Sequence, residues 1–70
     1  MLSENQKDII KAFADCNMKI AETARKMFFC RSTIEYQLER VKDKTGLDPC
    51  KFHDLNKLLS IIERGANENE

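Results

Sequence analysis

Glycine and proline are almost absent from this chain and occur only at Gly46, Pro49 and Gly65. Because these two residues mark most turns and element ends, the long stretch before Gly46 is expected to form helices joined by short turns. That stretch also lacks the alternation of apolar and polar residues typical of strands. The sequence therefore predicts an all-α fold with helices at about 4–16, 20–27, 31–45 and 51–64.

The chain has 70 residues, enough for one small domain with a single modest core. We expect this domain to cover residues 1–65, with residues 66–70 as a disordered tail. A ligand-sensing domain would then have to lie on another chain. The apolar runs fall well short of the roughly 18 residues that cross a bilayer, and the N-terminus lacks the order of a signal peptide, so we expect a cytoplasmic protein without membrane contact.

Three cysteines, Cys16, Cys30 and Cys50, are spread along the chain without a close pair. Their odd number argues against a disulfide framework. With His53 they would make four zinc ligands, but structural zinc sites usually draw ligands from paired knuckles, so we expect thiols without metal. We expect no cofactor, and the single histidine and the absence of a phosphate-cradling loop leave no catalytic constellation, so an enzyme is not predicted.

The first two helices differ in their sequence signals. Ser3 and Gln6 have the spacing of a capping box, which predicts the start of the first helix. The second helix is short, and Ala24 provides a small side chain where another helix must approach closely. Phe28 and Phe29 follow in the turn, and we expect both to fold inward because bulky aromatic rings are costly to expose. The apolar face of the first helix comprises Ile9, Ile10, Phe13 and Cys16.

The third helix carries a narrow apolar stripe. Its members, Ile34, Leu38 and Val41, lie within an arc of about 60°, so most of the helix circumference is left to solvent. Gly46 is expected to end the helix as a C-terminal glycine. A short helix, a tight turn and a second helix resting on one apolar edge form a helix-turn-helix, in which the second helix can enter the major groove of DNA.

The first turns of this helix carry side chains suited to DNA. Arginine can bond guanine, glutamine adenine and glutamate cytosine, while hydroxyls can bond phosphate near a helix N-terminus. The stretch from Met18 to Thr45 has seven basic and four acidic residues, a net +3 in a chain of zero net charge. The predicted DNA contacts are Arg31, Ser32, Thr33, Glu35, Tyr36, Gln37 and Arg40. The predicted phosphate contacts are Lys19, Lys26 and Lys42.

The fourth helix follows a turn at Leu47-Asp48-Pro49. Apolar residues cover roughly half of its circumference, more than packing against one neighbour requires. We therefore expect double-stranded DNA to be bound by a homodimer formed through this helix. Two-fold symmetry would place the two third helices about 34 Å apart, on successive major grooves. The predicted dimer contacts are Leu58, Ile61 and Ile62.

The stretch IAETARKMFFCRSTIEYQLERVKDKTGLDP resembles the DNA-binding C-terminal domain of the purine-catabolism regulator (PucR) and sugar-diacid regulator families, and more loosely that of the factor for inversion stimulation (Fis). The matching pieces are ETARKMF, RSTIEYQLERV and TGLDP. The resemblance implies a DNA-binding transcriptional regulator of four to five helices, usually dimeric. It also implies base and phosphate contacts on Arg31, Ser32, Thr33 and Tyr36. The chain departs from the family pattern at Cys30, Glu35 and Glu39.

A protein-interaction adaptor is the alternative prediction. The zero net charge and the acidic residues Glu35 and Glu39 would suit a scaffold of phage or mobile-element type that binds a host or regulatory protein instead of DNA. The resemblance and the Arg31-Ser32-Thr33 start of the third helix favour DNA. Added salt separates the two alternatives, because only DNA binding weakens steeply with it.

Overall fold

A computed structural model of the protein describes residues 2–68, with side chains for residues 2–63. These residues form helices and turns without a strand, which confirms the all-α prediction. The bounds of the second and third helices agree with those predicted, and the first ends one residue early because Cys16 is its C-cap. The helices are α1 Glu4–Asp15, α2 Ile20–Met27, α3 Arg31–Thr45 and α4 Phe52–Glu68.

Helix α4 differs from the prediction at both ends. It begins at Phe52 and continues to Glu68, so Gly65 does not end it. A glycine inside a helix costs only about 1 kcal/mol relative to alanine and keeps its backbone N–H, so a helix can pass through it. The first part of the predicted disordered tail is therefore helical as far as Glu68, and residues 69–70 lie outside the described residues.

The start of α1 confirms the predicted capping box. The backbone N–H of Gln6 donates to Oγ of Ser3, and the backbone N–H of Ser3 donates to Oε1 of Gln6, each at 3.1 Å. The Gln6 side chain is buried and reaches α3 as well. Its Nε2 donates to Oε1 of Gln37 at 3.1 Å, and its Oε1 accepts from Nζ of Lys44 at 3.0 Å. One side chain thus caps α1 and attaches it to α3.

The core confirms the thin apolar edge of α3. Helices α1, α2 and α3 pack against one another, whereas α4 packs against α1. Leu58 and Ile62 are only 0% and 4% exposed within this core, which corrects the expectation that they contact a second copy, because an enclosed side chain offers no surface. The core residues are Ile9, Ile10, Phe13, Ala24, Ile34, Leu38, Val41, Leu55, Leu58 and Ile62.

The turn between α2 and α3 corrects the prediction for one of its two phenylalanines. Phe29 is partly buried against the core, as expected. Phe28 is 94% exposed and is the C-cap of α2, in the left-handed conformation with φ 61° and ψ 38°. The left-handed cap redirects the chain at Phe28, which leaves the Phe28 ring in solvent while the Phe29 ring packs against the core. Of the two rings expected to point inward, only the Phe29 ring does so.

Within the described part of the chain, no helix is both long enough and apolar enough to span a bilayer.

Candidate nucleic-acid interface

Helix α3 contacts the core along one edge and exposes the rest of its surface. The stripe of Ile34, Leu38 and Val41 is buried, as the sequence predicts. A helix in this position has the free outward side that insertion into the major groove requires. The exposed residues of α3 are Arg31, Ser32, Glu35, Tyr36, Glu39, Arg40, Lys42, Asp43 and Lys44.

The N-terminus of α3 is suited to an anion. Its N-cap, Cys30, makes no side-chain hydrogen bond to the helix, and the first turn contains no acidic residue. The positive end of the helix dipole is therefore not neutralised by a carboxylate of its own first turn. Arg31 and Ser32 are exposed at this end, and Thr33 is half-buried beside them. Such an end provides backbone and side-chain donors for a phosphate group.

Tyr36 and Arg40 interact on the outward side of α3. The guanidinium carbon of Arg40 lies 6.0 Å from the centroid of the Tyr36 ring. A cation–π contact of this kind contributes about 0.5–1 kcal/mol at an exposed site. It restrains two long side chains one turn apart, while the ring stays 59% exposed. Both groups are thus held where a bound partner would meet them.

Three carboxylates line the same outward side of α3. Glu35, Glu39 and Asp43 follow one another at four-residue intervals, a spacing that makes them neighbours on a helix surface. We call these three residues the carboxylate ridge. All are exposed, and the ion pairs between described side chains, Lys7–Glu4, Lys19–Glu22 and Lys26–Asp15, involve none of them. Like charges at this spacing destabilise a helix slightly, by roughly 0.2–0.5 kcal/mol a pair.

A concave surface lies beside α3, where α3 meets the start of α2 and the loop that follows α3. The pKa of the Cys50 thiol is raised there, first by partial burial and then by the carboxylates of Asp48 and Glu39, while Lys42 opposes them. The lining has the carboxylates of Glu35, Glu39 and Asp48 against one basic side chain, Lys42, so away from its Ser32 edge the surface is unfavourable for phosphate. The surface is lined by Ile20, Ser32, Glu35, Tyr36, Leu38, Glu39, Lys42, Asp48 and Cys50.

The other predicted contact residues occupy different environments. Gln37 is half-buried, and its Oε1 accepts the hydrogen bond from Gln6, so it faces α1. Lys19 and Lys26 are exposed, and their Nζ atoms lie 3.7 Å from the carboxylates of Glu22 and Asp15. Exposed ion pairs contribute at most about 1 kcal/mol, so both lysines can exchange these partners for a phosphate.

The DNA contact predicted for Gln37 overlooks a signal in the sequence for the inward position of this residue. Gln37 follows Ile34 by three residues and precedes Val41 by four. Helical periodicity alone therefore places it beside the buried stripe. The exposed ring of Phe28 had no such signal, because neighbouring apolar residues in a turn look alike in the sequence.

The structure shows all three cysteines as free thiols. Cys16 is half-buried, and Cys30 and Cys50 are exposed. Among the side chains of residues 2–63, no three or more of histidine, cysteine, aspartate or glutamate are grouped to hold a metal ion.

Comparison with known proteins agrees with this geometry. The family model of the PucR C-terminal helix-turn-helix domain matches residues 7–60, which include all of α2 and α3. One uncharacterized protein of Mycobacterium bovis and two of Mycobacterium tuberculosis strains are each 38% identical over 47 residues. The match covers 67% of this chain and 11% of each relative, so the chain spans only a small part of their length. No solved structure matches. The chain belongs to the PucR C-terminal helix-turn-helix domain family.

Proposed function

We propose that this chain is the sequence-specific DNA-binding domain of a cytoplasmic transcriptional regulator, with the N-terminal half of α3 in the major groove. One observation carries the proposal: α3 rests on a single buried edge and exposes Arg31, Ser32 and Tyr36 on its first two turns. Family membership supports it, because the helix-turn-helix is a DNA-binding motif whose second helix reads the major groove.

The proposed contacts divide into base readers and phosphate holders. Arg31 can bond guanine through two donors, and Tyr36 offers a ring and a hydroxyl to a base or sugar. Ser32 and Thr33 lie at the helix N-terminus, where hydroxyl and backbone donors suit a phosphate. Arg40 would hold a further phosphate. Gln37 is left out of this set because its amide already bonds Gln6.

The lysines of the predicted set would contribute the part of the affinity that does not depend on base sequence. Lys19 and Lys26 are the exposed lysines of α2 and its N-cap, the segment that crosses the backbone in this motif. Lys42 lines the concave surface together with Glu35, Glu39 and Asp48, whose negative charges oppose its attraction for phosphate. Each phosphate contact releases counterions, so replacing these lysines would lower the salt dependence of binding.

The proposal includes a homodimer, as expected from the sequence. Of the predicted contact residues on α4, Ile61 remains available, with 44% of its surface exposed. A two-fold contact through this residue would set the spacing of two α3 helices, which must be about 34 Å for successive major grooves. Sedimentation at increasing concentration tests the dimer directly: Ile61→Glu should keep the protein monomeric at concentrations where the unchanged chain associates.

Selection of bound sequences from random duplex DNA at two salt concentrations tests the function. We expect an enriched palindrome and binding that weakens steeply as salt is raised. Arg31→Ala should lower the affinity for the enriched sequence by roughly 5- to 150-fold, the range for one bidentate base contact. Lys57→Ala removes the same charge from an exposed position on α4 and should leave binding unchanged. Absence of enrichment at both salt concentrations would refute the proposal.

The carboxylate ridge favours a second candidate function. A protein adaptor would use the same exposed side of α3 to bind a basic surface of a host or regulatory protein, and a chain of zero net charge suits it. Such a chain would enrich no DNA sequence, and neutralising Glu39 would weaken its binding to the protein partner. DNA binding predicts the opposite sign for the removal of an acid near phosphate.

A further inference from the structure

We infer that Gln6 is a positioning residue for the proposed DNA contact: its buried amide fixes how far α3 is rotated about its own axis, and so whether the base-reading side chains meet their bases. The inference rests on the proposed function and deepens it, because it assigns part of the sequence specificity to α1. Gln6 is only 5% exposed, so it acts on a duplex through α3 and not by touching it.

The apolar edge of α3 leaves this rotation weakly determined. Ile34, Leu38 and Val41 are buried within an arc of about 60°. The hydrophobic effect follows the area covered and has no preferred direction, so a stripe this narrow holds α3 on the core more firmly than it fixes the rotation of the helix. Hydrogen bonds depend on direction as well as distance, so polar contacts beside the stripe can fix that angle.

Gln6 makes two such contacts on one side of the stripe. Its Nε2 donates to Oε1 of Gln37 at 3.1 Å, and its Oε1 accepts from Nζ of Lys44 at 3.0 Å. Gln37 and Lys44 lie about 60° and 80° round the helix from Ile34, in the same direction, and their backbones are about 10 Å apart along its axis. The Gln6 amide is itself held in α1, because its Oε1 also accepts from the backbone N–H of Ser3.

A small rotation of α3 is enough to disrupt base contacts. A rotation of about 20°, a third of the width of the stripe, moves a group roughly 5–6 Å from the helix axis by about 2 Å. A hydrogen bond of about 2.9 Å is lost when its donor moves that far, so the proposed bonds of Arg31 to guanine would fail. Phosphate contacts tolerate the movement better, because lysine side chains are flexible. Rotation should therefore weaken specific binding more than non-specific binding.

Two substitutions at Gln6 separate its hydrogen bonds from its volume. Gln6→Met keeps a side chain of similar length and removes the amide. Gln6→Glu keeps acceptors for Ser3 and Lys44, and it can accept from Gln37 once the Gln37 amide is turned over. Gln6→Met should lower the affinity for the duplex selected by the unchanged chain roughly tenfold, as for a lost base contact, and the affinity for random duplex less than about twofold. Gln6→Glu should keep both affinities.

Loss of stability needs its own controls, because the Gln6 bonds also stabilise the fold. Leu58→Ala destabilises the buried core, and Ser3→Ala, a milder change, removes one bond of the cap. Neither substitution removes a hydrogen bond between Gln6 and α3. Far-UV circular dichroism identifies a temperature at which the variants are folded. If Gln6→Met does not fold, Gln37→Met removes one of the two bonds and should lower the ratio of selected to random binding in the same direction.

The possible results have distinct meanings. The inference is supported if the folded methionine variant lowers the ratio of selected to random binding while Gln6→Glu and the stability controls keep it. It is overturned if the methionine variant keeps the ratio, or if Gln6→Glu or a stability control lowers it as much. If the unchanged chain selects no sequence, the proposed function itself fails, and the inference with it.

Discussion

Replacement of Gln6 by alanine should destabilise the protein far more than its position near the N-terminus suggests. The Gln6 side chain accepts from the backbone of Ser3, accepts from Lys44 and donates to Gln37. Neutral hydrogen bonds contribute about 0.5–1.5 kcal/mol each, and bonds to charged groups about 1.5–3 kcal/mol. Exposure of Lys44 to solvent reduces its share, because water can replace the partner. We therefore expect Gln6→Ala to lower the free energy of unfolding by about 2–3 kcal/mol.

Urea unfolding followed by far-UV circular dichroism measures this loss. Ser3→Ala removes only the cap and should cost about 1 kcal/mol. Asn5→Ala changes an exposed neighbour on the same turn and should stay within about 0.5 kcal/mol of the unchanged chain. In a domain of this size, the loss from Gln6→Ala corresponds to a decrease in Tm of roughly 8–24 °C.

A double-mutant cycle isolates the contact between the helices. Gln6→Ala and Gln37→Ala should show a coupling energy of about 0.5–1.5 kcal/mol if their amides bond each other. Additive losses, or a Gln6→Ala variant no less stable than Ser3→Ala, would refute the view that this side chain attaches α1 to α3.

Three further predictions test other parts of the structure. Phe28→Gly should leave stability unchanged or raise it by about 0.5–1 kcal/mol, because φ 61° strains a phenylalanine and suits glycine; a loss above about 1 kcal/mol in urea unfolding would contradict the exposed left-handed cap. With the other two cysteines changed to serine, the pH midpoint of Cys50 alkylation should lie above that of free cysteine, because a raised pKa leaves less thiolate at a given pH. Asp48→Asn removes one of the negative charges that raise this pKa, so the midpoint should fall in that variant. Leu58→Ala should cost about 2–5 kcal/mol of stability, and Ile61→Ala much less; equal losses would contradict their different burial.

Local signals explain why α2 and α3 could be predicted from the sequence. Gly46 takes φ 75° at the C-cap of α3, the left-handed conformation that glycine adopts without strain. The Ile34, Leu38 and Val41 stripe has helical spacing, and the structure buries all three. These features depend only on residues that are close to one another in the chain, so they can be recognised in the sequence.

The errors concern contacts between distant parts of the chain. The sequence predicts surplus apolar surface on α4 for a second copy, but Leu58 and Ile62 are enclosed in the core of the single chain. The surplus lies at the edges of the arc, where Phe52 and Ile61 are exposed. Helical spacing places Gln37 beside the buried stripe, but its hydrogen-bond partner, Gln6, is 31 positions earlier in the chain. No local pattern shows which helix will cover which face.

The packing order of the helices has a mechanical consequence. Among the described helices, α4 packs along α1, and its backbone does not closely approach α2 or α3. A load applied to the C-terminal end would therefore reach α3 through α1 and through the loop of residues 46–51, which the backbone N–H of Asp48 attaches to the Asp54 carboxylate of α4. Helix α1, which packs against both α3 and α4, therefore links the orientation of one to that of the other.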